Sequence, residues 1–122
     1  MASTFEITYK GKGMFFLSVA GLQLRQKKMV AQLLEAAKRE IRRHPPKSLL
    51  VITDITNTGY DSDVASMFKE YAAHNTPYVK ASAVVGASGI QKVILSAIKT
   101  LTNRKFYLAS TVDEAKEWLA SQ

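Results

Sequence analysis

The chain of 122 residues has no cysteine, three prolines, two histidines and one tryptophan. Without cysteine there is no disulfide, no thiolate zinc site and no cysteine nucleophile. His44 stands before a double proline and His74 at the end of an expected helix; neither has ligand spacing, so no metal site is expected. No nucleophile–base–orienter set is readable, so neither an enzymatic activity nor a cofactor is expected. Long hydrophobic runs are missing too. The run from Met14 to Ala20 is far shorter than the roughly twenty apolar residues of a membrane span. Polar strand-like sequence precedes it and amphipathic sequence follows, so it reads as a strand rather than a signal peptide, and a cytoplasmic location is expected.

Acidic residues are scarce at the start of the chain. Residues 1–47 hold ten Lys or Arg against Glu6, Glu35 and Glu40, whereas residues 48–122 hold seven of each sign. The whole net charge of +7 therefore lies in the first two-fifths. A basic face there suits nucleic acid, anionic lipid or an acidic protein.

What is present is globular: 47% hydrophobic and 22% charged residues, with no repeat or low-complexity stretch, at the length of a single domain, 1–122. Residues 4–9 alternate apolar and polar as a half-buried strand does. Lys10-Gly11-Lys12-Gly13 reads as a turn into a second strand, 14–19, its hairpin partner. A helix over 24–43 follows, with Val30, Leu33, Leu34, Ala37 and Ile41 on one face; His44-Pro45-Pro46 stops it. Residues 49–55 are apolar until Asp54, as in a central parallel strand.

After a polar loop over 56–63, Val64, Met67, Phe68, Tyr71 and Ala72 give a helix over 64–73. A strand over 79–85 precedes a helix over 90–101, spaced by Ile90, Val93, Ile94, Ala97, Ile98 and Leu101. A short strand, 106–109, leads to a last helix ending near Leu119, with Thr111 and Glu114 as its capping box. The order β-β-α-β-α-β-α-β-α predicts an α/β fold: a mostly parallel five-stranded sheet with an N-terminal antiparallel hairpin and four helices.

Leu49-Leu-Val-Ile-Thr-Asp54, followed by Asp61-Ser62-Asp63 at a helix start, resembles the STAS domains of bacterial anti-sigma-factor antagonists and sulfate-transporter tails. The segment from Tyr78 to Lys92 is similar to uncharacterised bacterial STAS-like proteins. The antagonists carry Asp-Ser-Ser-Gly there, and a partner kinase phosphorylates the second serine. By position, Asp61 and Ser62 match, Asp63 occupies the phosphoacceptor position and Val64 replaces the glycine. Either the phosphoacceptor is missing, or the register slips and Ser62 serves.

The resemblance implies a regulatory, protein-interaction module without enzymatic activity. Its partner is expected to be a protein, of the regulatory kinase or anti-sigma type, contacted by Asn57, Asp61, Ser62 and Asp63. Helix capping alone also explains Asp61 to Asp63. Some relatives resemble lipid-transfer domains, so a small-ligand or lipid pocket under the helices 64–73 and 90–101 is an alternative. Asp54, Ser88, Gly89 and Lys92 are candidates for anion or ligand binding at the carboxyl ends of the strands, with Lys80 and Lys105 adding charge if they converge. Ser88 with Gln91 also reads as a capping box.

The outward face of the first helix, with Arg25, Lys28, Lys38, Arg39, Arg42 and Arg43, is a further alternative site for anions or nucleic acid. Glu35 is placed to pair with Arg39. Few aromatics interleave with these charges, which weakens a single-strand stacking model; nucleic acid is not the expected partner, and a peripheral anionic membrane is a candidate. A sheet edge invites a homodimer.

Overall fold

The structure, a computed structural model, describes residues 3–89, 91, 92, 95, 96 and 105–122. It opens with a hairpin of β1 (Ser3–Tyr9) and β2 (Lys12–Ser18), paired from Ser3↔Ser18 to Tyr9↔Lys12. Lys10 and Gly11 are its two-residue turn, with φ of 50° and 78°. Two positive φ values in succession suit the right-handed twist of the flanking strands. Across the pair, the Phe5 ring stacks on Phe16 with centroids 4.7 Å apart.

β3 (Leu49–Asp54), β4 (Val79–Val85) and β5 (Lys105–Ala109) complete the sheet in the order β1-β2-β3-β4-β5, parallel from β2 onward. One face is covered by a 3-10 turn (Leu24–Gln26), α1 (Lys27–Ile41) and α2 (Ser62–Asn75). There Phe15, Leu17, Val51 and Val84 pack with Val30, Leu34, Ile41 and Tyr71. The other face is covered by α3 (Val112–Ala120), whose Ala115 and Leu119 meet Met14, Phe16, Leu50, Ile52, Ala81 and Ala83. Cover on both sides is why β2 and β3 read as nearly continuous apolar runs rather than alternating ones.

In β4 the register jumps from Leu49↔Val79 to Leu50↔Ala81, which leaves Lys80 as an extra residue. The bulge turns Lys80 outward, and its ammonium donates to the Gln122 main-chain oxygen at 3.0 Å.

The mixed sheet agrees with the expected α/β order. Among the described residues three α-helices have defined bounds, not four. Of the helix expected over 90–101, only Gln91, Lys92, Leu95 and Ser96 are described; Ile90, Val93, Ile94, Ala97, Ile98 and Leu101 lie outside the described residues.

Two expectations for the first helix need correction. Glu35 pairs with Lys38 at 2.6 Å, three residues on, rather than with Arg39. Lys38 is not on the outer face. It follows Ala37 and lies four residues after Leu34, both buried, so its stem is covered and 15% of the side chain is exposed. No helix among the described residues is long and apolar enough to cross a membrane.

Candidate functional site

The carboxyl ends of the strands form one rim. Hydrogen bonding between strands continues past their formal ends: Val19 N–H donates to Asp54 O (3.0 Å), Gly21 N–H to Thr56 O (2.9 Å), Ile55 N–H to Val85 O (2.9 Å) and Gly86 N–H to Ala109 O (3.2 Å). These bonds fix where each loop leaves the sheet.

The loop from Ile55 to Asp61 is held tightly by the segment before α1. Gly59 N–H donates to Leu22 O at 2.7 Å, Thr58 Oγ1 to Val19 O at 3.0 Å, and Gln23 Nε2 to Asn57 O at 3.0 Å. A Cβ on Gly59 would lie 2.7 Å from the Leu24 nitrogen, so only glycine lets the two backbones approach this closely. Asn57 turns the loop with φ of 52°, a conformation asparagine tolerates better than most residues. Its side chain is left facing solvent.

Asp61 is the N-cap of α2: its Oδ1 accepts from Val64 N–H at 2.9 Å. Ser62 and Asp63 follow in the first turn, both exposed. Lys27, the first residue of α1, bridges the two helix starts by pairing with Asp61 and, at 3.0 Å, with Asp63. Its ammonium, followed by the Val64 N–H, holds the Asp61 carboxyl below the ordinary aspartate range. Reciprocally, Asp61 and Asp63 raise the Lys27 ammonium above its ordinary value. One ammonium is thus shared by two carboxylates, and the expected acidic turn keeps a net negative charge.

The second group of candidates sits on the adjoining part of the rim. Asp54 Oδ1 accepts from Thr56 N–H (3.0 Å) and Thr56 Oγ1 (2.6 Å), so that oxygen shapes the loop start. Thr56 packs directly on Gly86. Ser88 and Gly89 are exposed, and Ser88 N–H donates to Gln91 Oε1 at 3.1 Å, the reciprocal arm of the capping box. Lys92 lines a depression of about 300 Å³ with Gly86, Ala87, Leu108, Ala109 and Ser110. Lys80 and Lys105 stand at the opposite, amino end of the strands and do not converge with Lys92.

Beneath α2 lies a mainly apolar cavity of about 60 Å³. Phe68, Tyr71, Val84 and Phe106 line it, with Thr53, Asn75 and Ser82 as polar members.

Residues that sequence reasoning did not single out complete the rim. Gln23 and Lys27 tie it together, and the Leu24 backbone abuts it at Gly59. Lys27 carries one signal: it sits three residues before Val30, on the flank of α1's buried stripe, where a helix meets its neighbour.

No protein-family model and no curated protein matches the sequence. The fold nevertheless defines a class: it is SpoIIAA-like, which is the STAS-like arrangement. One solved structure that shows this is an uncharacterised protein of the DUF3478 family with a SpoIIAA-like fold, from Shewanella loihica PV-4. The two are 18% identical, the match covers 96% of this chain and 92% of that one, and the TM-score is 0.67.

Proposed function

We propose that this chain is a non-enzymatic regulatory module that docks a protein partner at the α2 entrance. The observation that carries the reading is the form of that entrance. Backbone bonds to Gly59 and Asn57 hold the loop in place, while Asn57, Ser62 and Asp63 remain exposed. A surface fixed before binding loses little conformational freedom on association. The SpoIIAA-like fold supports the same reading through its resemblance to anti-sigma-factor antagonists. The partner class is then a regulatory kinase or an anti-sigma-type protein. With Asp63 at the phosphoacceptor position, the module carries a permanent charge there, smaller than a phosphate's.

The test is partner capture from the native cell by the intact protein and by Asn57→Ala, Asp63→Ala and Ser62→Glu, with folding checked by circular dichroism. Capture should change in the folded variants. Unaltered capture rejects the site.

The cavity beneath α2 favours a second reading, the binding of a small apolar ligand. At about 60 Å³ it has room for a few atoms rather than an acyl chain. Native mass spectrometry of freshly purified protein tests it, and the bare mass alone counts against it.

A further inference from the structure

The side of α1 that faces away from the sheet carries a row of cations. With the buried Val30 as origin and about 100° per residue, Lys28 falls at roughly 160°, Arg39 at roughly 180°, Gln32 at roughly 200° and Arg43 at roughly 220°. All four are exposed, whereas Leu34, Ala37 and Ile41 return to within about 40° of Val30 and are buried. No acid stands in the outward arc. Glu35 lies on its α2 side, where Lys38 and His74 act on the carboxyl, and Glu40 lies on the opposite flank at about 280°. Lys28, Arg39 and the exposed Arg42 make no ion pair among the described residues. Arg43 meets Glu40 at 3.2 Å with 75% of its side chain exposed, so its guanidinium keeps free donors.

Between residues 25 and 43 stand seven cations and two acids. With Asp61 and Asp63 set against them as well, the excess is still three. The neighbouring helix does not cancel it. Opposite its buried Val64, α2 presents Ser62, Ser66, Lys69 and Ala73, and Glu70 at the border balances Lys69.

The form of the row selects among anionic partners. α1 and α2 cover the same face of the sheet side by side. Two helices abreast are about 20 Å across, too broad for the roughly 12 Å major groove of a duplex. α1 has no aromatic residue on which an unpaired base could stack. A protein interface is centred on buried apolar or aromatic anchors. Here only Met29, 45% exposed, stands at the margin of the row. A plane of lipid phosphates needs neither groove nor anchor, because each Lys or Arg held near it raises binding about fivefold. The apolar stripe of α1 is buried against the sheet, so the helix rests on the headgroups rather than entering the bilayer.

We infer that the outward face of α1 docks on an anionic membrane surface, with Lys28, Arg39, Arg42 and Arg43 set among the lipid phosphates. The row from Lys28 to Arg43 is about 22 Å long, enough to meet several headgroups at once. This surface is separate from the α2 entrance and does not depend on the docking role proposed there.

The experiment sediments the full chain with vesicles of phosphatidylcholine containing about one-third phosphatidylglycerol, and with phosphatidylcholine alone, at about 0.1 M salt. The protein should bind the anionic vesicles only, and raising the salt to about 0.5 M should release it. The double reversal Lys28→Glu with Arg39→Glu should weaken binding about tenfold or more. Lys105→Glu with Lys116→Glu makes the same change in net charge on the α3 side of the sheet and should leave binding nearly unchanged. Circular dichroism checks each fold. If the reversal disturbs it, the neutral pair Lys28→Gln with Arg39→Gln takes its place, and it too should weaken binding about tenfold or more.

Binding to neither kind of vesicle, equal binding to both, or equal loss from the two double reversals overturns the inference. Tighter binding to a short duplex oligonucleotide than to the vesicles at the same salt, lost on changing Lys28 and Arg39, overturns it in favour of nucleic acid.

Discussion

Gly86 and Thr56 meet so closely that a Cβ on Gly86 would lie 2.7 Å from the Thr56 Cα. Gly86 also has φ of 82°. Substitution there meets two separate costs, a left-handed backbone and an overlap with a neighbouring main chain that cannot swing aside. Gly86→Ala should lower stability by about 3 kcal/mol. Gly11→Ala provides the control. Its φ is 78° but nothing lies within 4 Å of its would-be Cβ, so it should lose only about 1 kcal/mol. Urea unfolding measures both, and equal losses would count against the close approach.

Lys27→Met should make stability less sensitive to acid. The Asp61 carboxyl is held below its ordinary value first by Lys27 and then by the Val64 N–H. A lowered folded-state value contributes stability above the unfolded aspartate range near 3.8 and loses it as pH falls through the folded value. Removing Lys27 removes the larger cause, so the Asp61 titration should move upward toward the ordinary range. Carboxyl-detected NMR across pH 2–6 follows it. A titration that does not move on removing Lys27 contradicts the bridge.

The sequence made the fold legible where burial is regular. Phe15, Val51 and Ile52 come from runs that only a doubly covered strand produces, and Val30, Leu34, Ala37 and Ile41 repeat as a helix must. Asp61 and Thr111 were readable as N-caps because capping is local chemistry. The site was less legible because its decisive relations cross the fold. The pairing of Lys27 with Asp61 depends on how α1 lies against α2, 34 residues on in sequence. The depth of Lys38 depends on the same packing. Asp54 looked like a ligand-facing carboxylate at a strand end, and only the rotamer that meets Thr56 shows its Oδ1 bound to the loop. The bulge at Lys80 leaves no trace in a run of small and β-branched residues.

Thr111→Ala should destabilise the protein by about 1 kcal/mol. Thr111 Oγ1 accepts from Glu114 N–H at 3.1 Å and caps α3, whose first N–H groups otherwise lack partners. Thr111→Ser keeps the hydroxyl and should lose little. The Glu114 carboxylate turns away from Thr111 to accept from Ser110 N–H at 2.9 Å and from the Tyr107 hydroxyl, so the expected capping box is replaced by a wider clasp on β5. Thermal unfolding of the two variants separates the hydroxyl's role from that of its surroundings. Equal loss in both would place the effect in the threonine methyl instead.

The sheet separates two cores, and their independence is measurable. Leu119 on α3 and Ile41 on α1 are both fully buried, on opposite faces. Leu119→Ala deletes three buried carbons and should lose about 2–5 kcal/mol, because the neighbours only partly close the space. Ile41→Val deletes one and should lose about 0.5–1.5 kcal/mol. With the sheet between them the two side chains share no packing partner, so the double variant should show the summed loss to within about 0.5 kcal/mol. Denaturant unfolding of the four proteins closes the cycle. A coupling well beyond that margin would mean that strain passes through β2 and β3, and that the two faces act as one core.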